Sequence, residues 1–174
     1  IDSLLSFQVN NLLSDEDLYH SYVFTLENVT LEQYASVRQL YNQKKEEAGI
    51  IDFDDMQLYM YTLLVKDKNE HVINYCRNLW QYFFVDEFQD ISKIQFAILR
   101  EMVTDPQKLI VIGDDDQCIY QWRGADPSII QNICGYYDIP NFVLSTNYRC
   151  GGEIVKHAAV GVKQNERRSE KDMI

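Results

Sequence analysis

The residues best suited to chemistry are Asp86 and Glu87, which directly follow the apolar run Tyr82-Phe83-Phe84-Val85. Such a run is what a fully buried parallel strand needs. Ligands of open α/β sheets bind beyond the carboxyl ends of their strands. A carboxylate there can hold Mg²⁺ or its waters while a neighbouring carboxylate polarises an attacking water. Asp86 fits the first role and Glu87 the second. An acidic pair alone says little, because strands end at solvent in any case.

A second run, Leu109-Ile110-Val111-Ile112, opens onto Gly113 and the aspartates Asp114, Asp115 and Asp116, so two strands deliver polar residues to one edge. Gln117 carries both a donor and an acceptor, which suits it to contact a terminal phosphate. Tyr120 and Trp122 then offer flat faces on which bases of any sequence can stack, and Arg123 a cation that can reach phosphate or stack in turn. With twelve tyrosines and eight phenylalanines in the chain, Tyr120 and Trp122 could equally be core aromatics. A third run, Asn141-Phe142-Val143-Leu144, is read as another strand and leads to Asn147-Tyr148-Arg149-Cys150-Gly151-Gly152. An arginine just past a strand can stabilise the charge on a phosphoryl group in transfer, and Tyr148 can stack on a nucleobase beside it.

These three stretches, in this order, resemble the boxes of UvrD/Rep-type superfamily 1 DNA helicases: Asp86-Glu87-Phe88-Gln89-Asp90, then Gly113 to Ala125, then Asn147-Tyr148-Arg149. Ile51 to Met56 resembles a further box, and Asn165, Arg167 and Lys171 resemble an asparagine, arginine and lysine that follow the third. The similarity runs from about residue 50 to the end, with Ile91 in place of a common threonine and Cys150 in place of a common serine. The resemblance implies ATP and Mg²⁺ as the groups bound. Asp86 then corresponds to the metal ligand, Glu87 to the general base, Gln117 and Arg149 to the γ-phosphate contacts and Tyr148 to the adenine stack. Tyr120, Trp122 and Arg123 correspond to contacts with single-stranded DNA, and Gln89 and Asp90 to residues bracing the junction. It further implies single-stranded DNA and single-strand/duplex junctions as partners, and 3′ to 5′ movement.

The family's phosphate-cradling Gly-x-x-x-x-Gly-Lys-Ser/Thr loop is absent from these 174 residues, so nothing here can wrap the β- and γ-phosphates as such a loop does. The chain is therefore expected to be an internal piece of a longer helicase, lacking that loop and the C-terminal motor domain and inactive alone. Its opening Ile1 agrees. A second class of function stays open: a non-catalytic nucleic-acid or protein interaction module on a degenerate helicase fold. The net charge of −11 argues against binding nucleic acid by bulk electrostatics, so any grip on DNA must be local. No apolar run approaches the length of a membrane span. Cys76, Cys118, Cys134 and Cys150 are spaced for neither zinc nor a disulfide framework, which suits a reducing cytoplasm.

The elements that must hold these residues fall into two groups. Residues 1–80 read as an inserted all-helical subdomain, with helix-start signatures at Ser14-x-x-Asp17 and Thr30-x-x-Gln33 and a stop at Gly49. Lys44-Lys45-Glu46-Glu47 reads as a solvated helix face, and Asp52, Asp54 and Asp55 as helix-start carboxylates in preference to a metal cluster. Residues 81–174 alternate strand and helix as in doubly wound α/β folds: part of a RecA-like parallel sheet flanked by helices, with a last helix through Ile154, Val155, Ala158, Ala159 and Val162 docking on it. A sheet missing its phosphate-loop strand would leave an edge or face open, a surface for self-association.

Overall fold

Reciprocal side-chain caps start the helices where the sequence places them. In the computed structural model, which describes residues 2–21, 29–165 and 171, helix α1 (Asp2–Asn11) is followed by α2 (Asp15–Ser21). Ser14 Oγ accepts the Asp17 amide at the start of α2 and donates to the Asp17 carboxylate. Thr30 and Gln33 close the same kind of box on α3 (Leu31–Ala48), which stops at Gly49 in the left-handed region at φ 65°. Asp52 and Asp55 box the start of α4 (Phe53–Tyr61). Both also receive the Lys45 ammonium at 2.7 Å, while Asp54 accepts from the Asn10 amide at 3.1 Å. The three aspartates are thus accounted for by capping and pairing. Lys45 departs from its expected solvated face, its side chain only 12% exposed; Lys44 and Glu47 do pair at the surface.

A π turn (Thr62–Lys66) carries α4 towards α5 (Glu70–Leu79), capped by Asn69. Strands β1 (Phe83–Val85) and β2 (Leu109–Val111) pair in parallel, Phe83 opposite Leu109 and Val85 opposite Val111. Between them runs α6 (Lys93–Met102), started by a Ser92/Gln95 box and ending short of Asp105-Pro106 as expected. After β2 comes α7 (Pro127–Tyr137), and at the end α8 (Gly152–Val162). The fold is mixed α/β, rich in helix, around a small parallel sheet.

Among the described residues, two buried clusters hold it together. Phe88, Ile91, Ile129 and Ile133 form one beside the sheet, and Leu64, Ile73 and Cys76 the other among the helices. Helix α6 serves both: Phe96 and Leu99 pack on the first, Ile98 and Met102 on the second. The loops after both strands therefore stand on a foundation shared with the helical residues.

Two expectations fail. Asn141-Phe142-Val143-Leu144 forms no strand, and Phe142 and Leu144 are 81% and 85% exposed. A strand exists through the partner that takes its N–H and C=O groups, and no described strand pairs with this run. Helix α8 forms, yet it buries none of its side chains, and Ile154 and Val160 face solvent. One face of the sheet is also uncovered, at Phe84 and Ile110. Among the described residues no helix is long and apolar enough to cross a membrane.

Candidate active site and nucleic-acid interface

At the end of β1 the chain turns sharply because Glu87 takes the left-handed conformation, φ 51° and ψ 42°, an uncommon choice for a residue with a Cβ. The turn lets the Phe88 amide donate to the Ile112 carbonyl, and the Ile112 amide to that of Val85, each at 2.9 Å. Strand pairing thus continues into the loops. Asp86 and Glu87 are exposed, and the Glu87 amide donates to Asp86 Oδ1 at 2.9 Å.

Gln89 lies beneath them, 2% exposed. Its Nε2 donates to Glu87 Oε2 at 2.7 Å and its Oε1 accepts the Asp114 amide at 3.0 Å. An amide side chain is suited to this place because one end gives and the other receives. The approach is close: a Cβ on Gly113 would lie 2.7 Å from Gln89 Oε1 and 2.8 Å from Ile130 Cδ1. The Cys118 thiol donates to the Gln89 carbonyl at 3.2 Å, and burial, aided by nearby Asp90, Asp126 and Asp115, pushes that thiol up.

In the loop after β2, Asp114 accepts the Asp116 amide at 3.1 Å and the Gln117 Nε2 at 2.8 Å. Lys171 reaches in from the far end of the chain, its Nζ 2.5 Å from Asp114 Oδ1 and 3.2 Å from Asp116 Oδ2 and also bonded to Asp115. Burial opposes the charged form of Asp114, but hydrogen bonds from Lys171 and Gln117 outweigh it and hold the carboxyl below its usual range. Lys171 is shifted the other way, raised, burial being overcome by its bonds to Asp114 and Asp115. The three aspartates lie within 4.8 Å of one another, close enough for a metal, but an ammonium already sits among them. No sequence spacing signals a contact between residues so far apart. Arg167 lies outside the described residues.

Beside Asp86 and Glu87 a cavity of about 490 Å³ opens towards α6, lined by Ile98, Leu99 and Met102 and by Asp90. Asp90 Oδ1 is buried there without a hydrogen-bond partner. Burial, then the charge of Glu87, raises the Asp90 carboxyl above its ordinary value.

The same loop continues into the aromatic patch. The rings of Tyr120 and Trp122 lie 6.4 Å apart, and the Arg123 guanidinium stands 5.8 Å and 5.4 Å from their centres. Trp122 is 63% exposed, so it is no core aromatic. Helix α1 backs this patch, unannounced by any motif: a Cβ on Gly124, at φ 102°, would meet Asn10 Cβ at 2.6 Å. Phe7 and Asn11 share with Trp122 and Gln121 a cavity of about 420 Å³. The Asp126 amide donates to the Ile91 carbonyl at 3.1 Å, and Ser92 bridges Ala125, so the loop is tied back to the segment that carries Gln89.

Tyr148 and Arg149 are not drawn in. Asn147 Oδ1 accepts the amides of Arg149 and Cys150 at 2.9 Å, which shapes the turn, yet Tyr148 is 93% exposed. Among the described residues no hydrogen bond or ion pair joins the Arg149 side chain to Asp86, Glu87 or Gln117. The first two groups form one connected edge, and the third stands apart.

A family model described as the UvrD/REP helicase N-terminal domain matches residues 1–138. The chain belongs to the UvrD/Rep helicase family. It is similar to a probable DNA helicase II homolog of Mycoplasma capricolum, 36% identical over 146 residues that make up 83% of this chain and 20% of that protein. DNA helicase II of Escherichia coli is 30% identical over 164 residues, 94% of this chain and 22% of the relative. The ATP-dependent DNA helicase PcrA of Bacillus subtilis is 36% identical over 137 residues, 76% and 18%. The chain thus spans about a fifth of the length of these UvrD/Rep-type relatives.

Proposed function

We propose that the chain is the base-and-sensor part of an ATP-dependent DNA helicase that moves 3′ to 5′ on single-stranded DNA and opens the duplex ahead of it. Residues 81–174 then belong to a RecA-like ATPase domain, and residues 1–80 to the helical subdomain set into it. The observation that carries this reading is the Gln89 bridge, which joins the Glu87 carboxylate to the loop bearing Gln117, Tyr120 and Trp122. A shift of that loop, caused by phosphate at Gln117 or by a strand at Trp122, is felt at Glu87 through one side chain.

In this reading Glu87 orients and deprotonates the attacking water, and Gln117 contacts the terminal phosphate. Arg149 reaches that phosphate and Tyr148 stacks on the adenine once both are brought to the edge. The residues fit Mg²⁺: Asp86 offers an exposed carboxylate at the end of β1, and a hard cation prefers such oxygen donors. Bound there, Mg²⁺ neutralises phosphate charge. Tyr120, Trp122 and Arg123 stack on and pair with single-stranded DNA, a grip suited to an acidic chain because it needs no broad positive field. The setting proposed for the chain is the cytoplasm.

The test is Mg²⁺-dependent ATP hydrolysis, with and without oligo-dT, by this chain and by a version extended upstream through a phosphate-binding loop. Activity in the extended protein that rises with DNA supports the motor. Glu87→Gln should then lower turnover by roughly 10²–10⁴-fold with ATP affinity kept, since a base acts on water rather than on bound phosphate. Equal loss of affinity and rate would remove that role. Trp122→Ala should weaken oligonucleotide binding regardless of sequence.

The exposed apolar side chains Phe84, Ile110, Phe142 and Leu144 favour a second reading, an interaction module that binds nucleic acid or protein, or pairs with its own kind, without hydrolysis. DNA binding or self-association with no ATPase activity in either protein would select it.

A further inference from the structure

Among the described residues, Lys171 reaches the nucleotide-sensing loop from a position 57 residues beyond Asp114, and its setting asks for a role. Its side chain is 13% exposed, and those of Asp115 and Asp116 are 3% and 9% exposed. Asp114 is more open, at 37%, but three carboxylates so crowded, two of them nearly dry, repel one another unless a cation lies among them. Lysine supplies that cation from within the chain, with three N–H donors for three acceptors.

The contact has consequences beyond charge balance. Asp114, which Lys171 touches, holds the Gln117 amide at 2.8 Å. The backbone N–H of the same residue rests on Gln89, which holds Glu87. One ammonium therefore anchors the residue from which both Gln117 and the Glu87 bridge are hung. We propose that Lys171 is a positioning residue: held among Asp114, Asp115 and Asp116, it fixes the loop so that Gln117 and, through Gln89, Glu87 keep their places. This rests on the helicase reading for what the loop does, but not for whether Lys171 holds it.

Two experiments separate those points. The first uses this chain with Trp80→Phe, so that Trp122, five residues beyond Gln117, is its single tryptophan. Adding Lys171→Met should shift Trp122 emission and make it respond to millimolar Mg²⁺, because the ammonium no longer lies among the three carboxylates. Lys171→Arg should behave as the unsubstituted lysine does. Should Lys171→Met alone fail to fold, the Asp115→Asn/Lys171→Met pair, which removes one of the three charges, should recover folding and emission. Trp122 emission unchanged by Lys171→Met and blind to Mg²⁺ overturns the proposal, as does failure of both Lys171→Arg and the double variant to restore it.

The second uses the extended protein. Lys171→Met should raise the KM for ATP about tenfold with kcat reduced less, and Lys171→Arg should restore KM to within about twofold. A merely structural lysine lowers the amount of folded enzyme, so a loss of activity that only follows the folded fraction, with KM and kcat per folded molecule unchanged, overturns the proposal. No hydrolysis even with Lys171 in place would sink the helicase reading, and the Trp122 measurement would still decide what Lys171 does.

Discussion

The edge formed after β1 and β2 and the segment from Asn141 to Gly152 both carry residues that match helicase boxes, yet one is built and the other is not. At the edge, Glu87, Gln89, Asp114 and Gln117 are joined by side-chain hydrogen bonds and stand on Phe88, which is wholly buried. In the segment, Phe142, Leu144 and Tyr148 are all more than four-fifths exposed. The difference is one of partners. Both strands of the edge find each other within the chain, whereas the apolar run before Arg149 has no described strand beside it. A motif alone does not make a site; pairing and burial do.

The contrast is sharpest in stability. Phe88→Ala should cost about 3–5 kcal/mol, the range for emptying a buried aromatic site, which is much of what holds a domain of this size folded. Leu144→Ala should change unfolding by no more than about 0.5 kcal/mol. Urea titration of both variants checks the pair, and a large cost at Leu144 would show that the segment packs in solution.

The glycines divide the same way. Gly113→Ala forces a methyl within 2.7 Å of Gln89 Oε1 and 2.8 Å of Ile130 Cδ1, an overpacking worth about 1–3 kcal/mol. Gly152→Ala meets nothing within 4 Å and, at the start of α8, should stabilise by about 0.4–1 kcal/mol through the unfolded chain. If Gly113→Ala is as harmless as Gly152→Ala, the close approach of the two loops is looser than it stands here.

The Lys171 cluster gives the edge a pH signature. Asp114 is depressed below its ordinary 3.8, so its contribution is complete above that value and lost as pH falls through the lower, folded one. Lys171 is raised above 10.5, so its contribution is complete below that value and lost as pH rises through the higher one. Urea midpoints measured from acid to alkali should fall at both ends, and Lys171→Met should flatten both limbs. Arms unchanged by that substitution would place the titrating groups elsewhere.

Much of this arrangement was legible in the sequence, for local reasons. Capping boxes at Ser14, Thr30 and Asp52 act within three residues, and the apolar runs at 83–85 and 109–111 announce strands by themselves, although not the open face at Phe84 and Ile110. The place of the paired carboxylates Asp86 and Glu87 follows from where such strands end, whereas the sequence left open whether Trp122 lies in the core, and the fold exposes it. What could not be read is long-range. The Lys171 contact spans 57 positions, the backing of Gly124 by Asn10 depends on how α1 packs, and Lys45 leaves its solvated face only because Asp52 and Asp55 come round to meet it. The run at 141–144 misled for the opposite reason: its local pattern suits a strand, and the partner it needs is not among the described residues.

The smallest expected effect probes the cost of keeping the edge ready. Asp90 has a buried Oδ1 with no hydrogen-bond partner, and burial, then the neighbouring charge of Glu87, raises its carboxyl. For an acid raised on folding, the folded state holds the proton more tightly. Its contribution is therefore greatest below the ordinary 3.8 and is lost as pH rises through the raised value. At neutral pH the Asp90 charge works against the fold. Asp90→Asn should accordingly be more stable than the parent chain at pH 7 and gain nothing at pH 3. Because Glu87 is the second cause, the gain should shrink, without vanishing, when Glu87→Gln is already present. Parallel urea titrations of the four proteins measure that coupling. A gain unaffected by Glu87→Gln would mean that burial alone sets the Asp90 carboxyl, and that the two acids at this edge titrate independently.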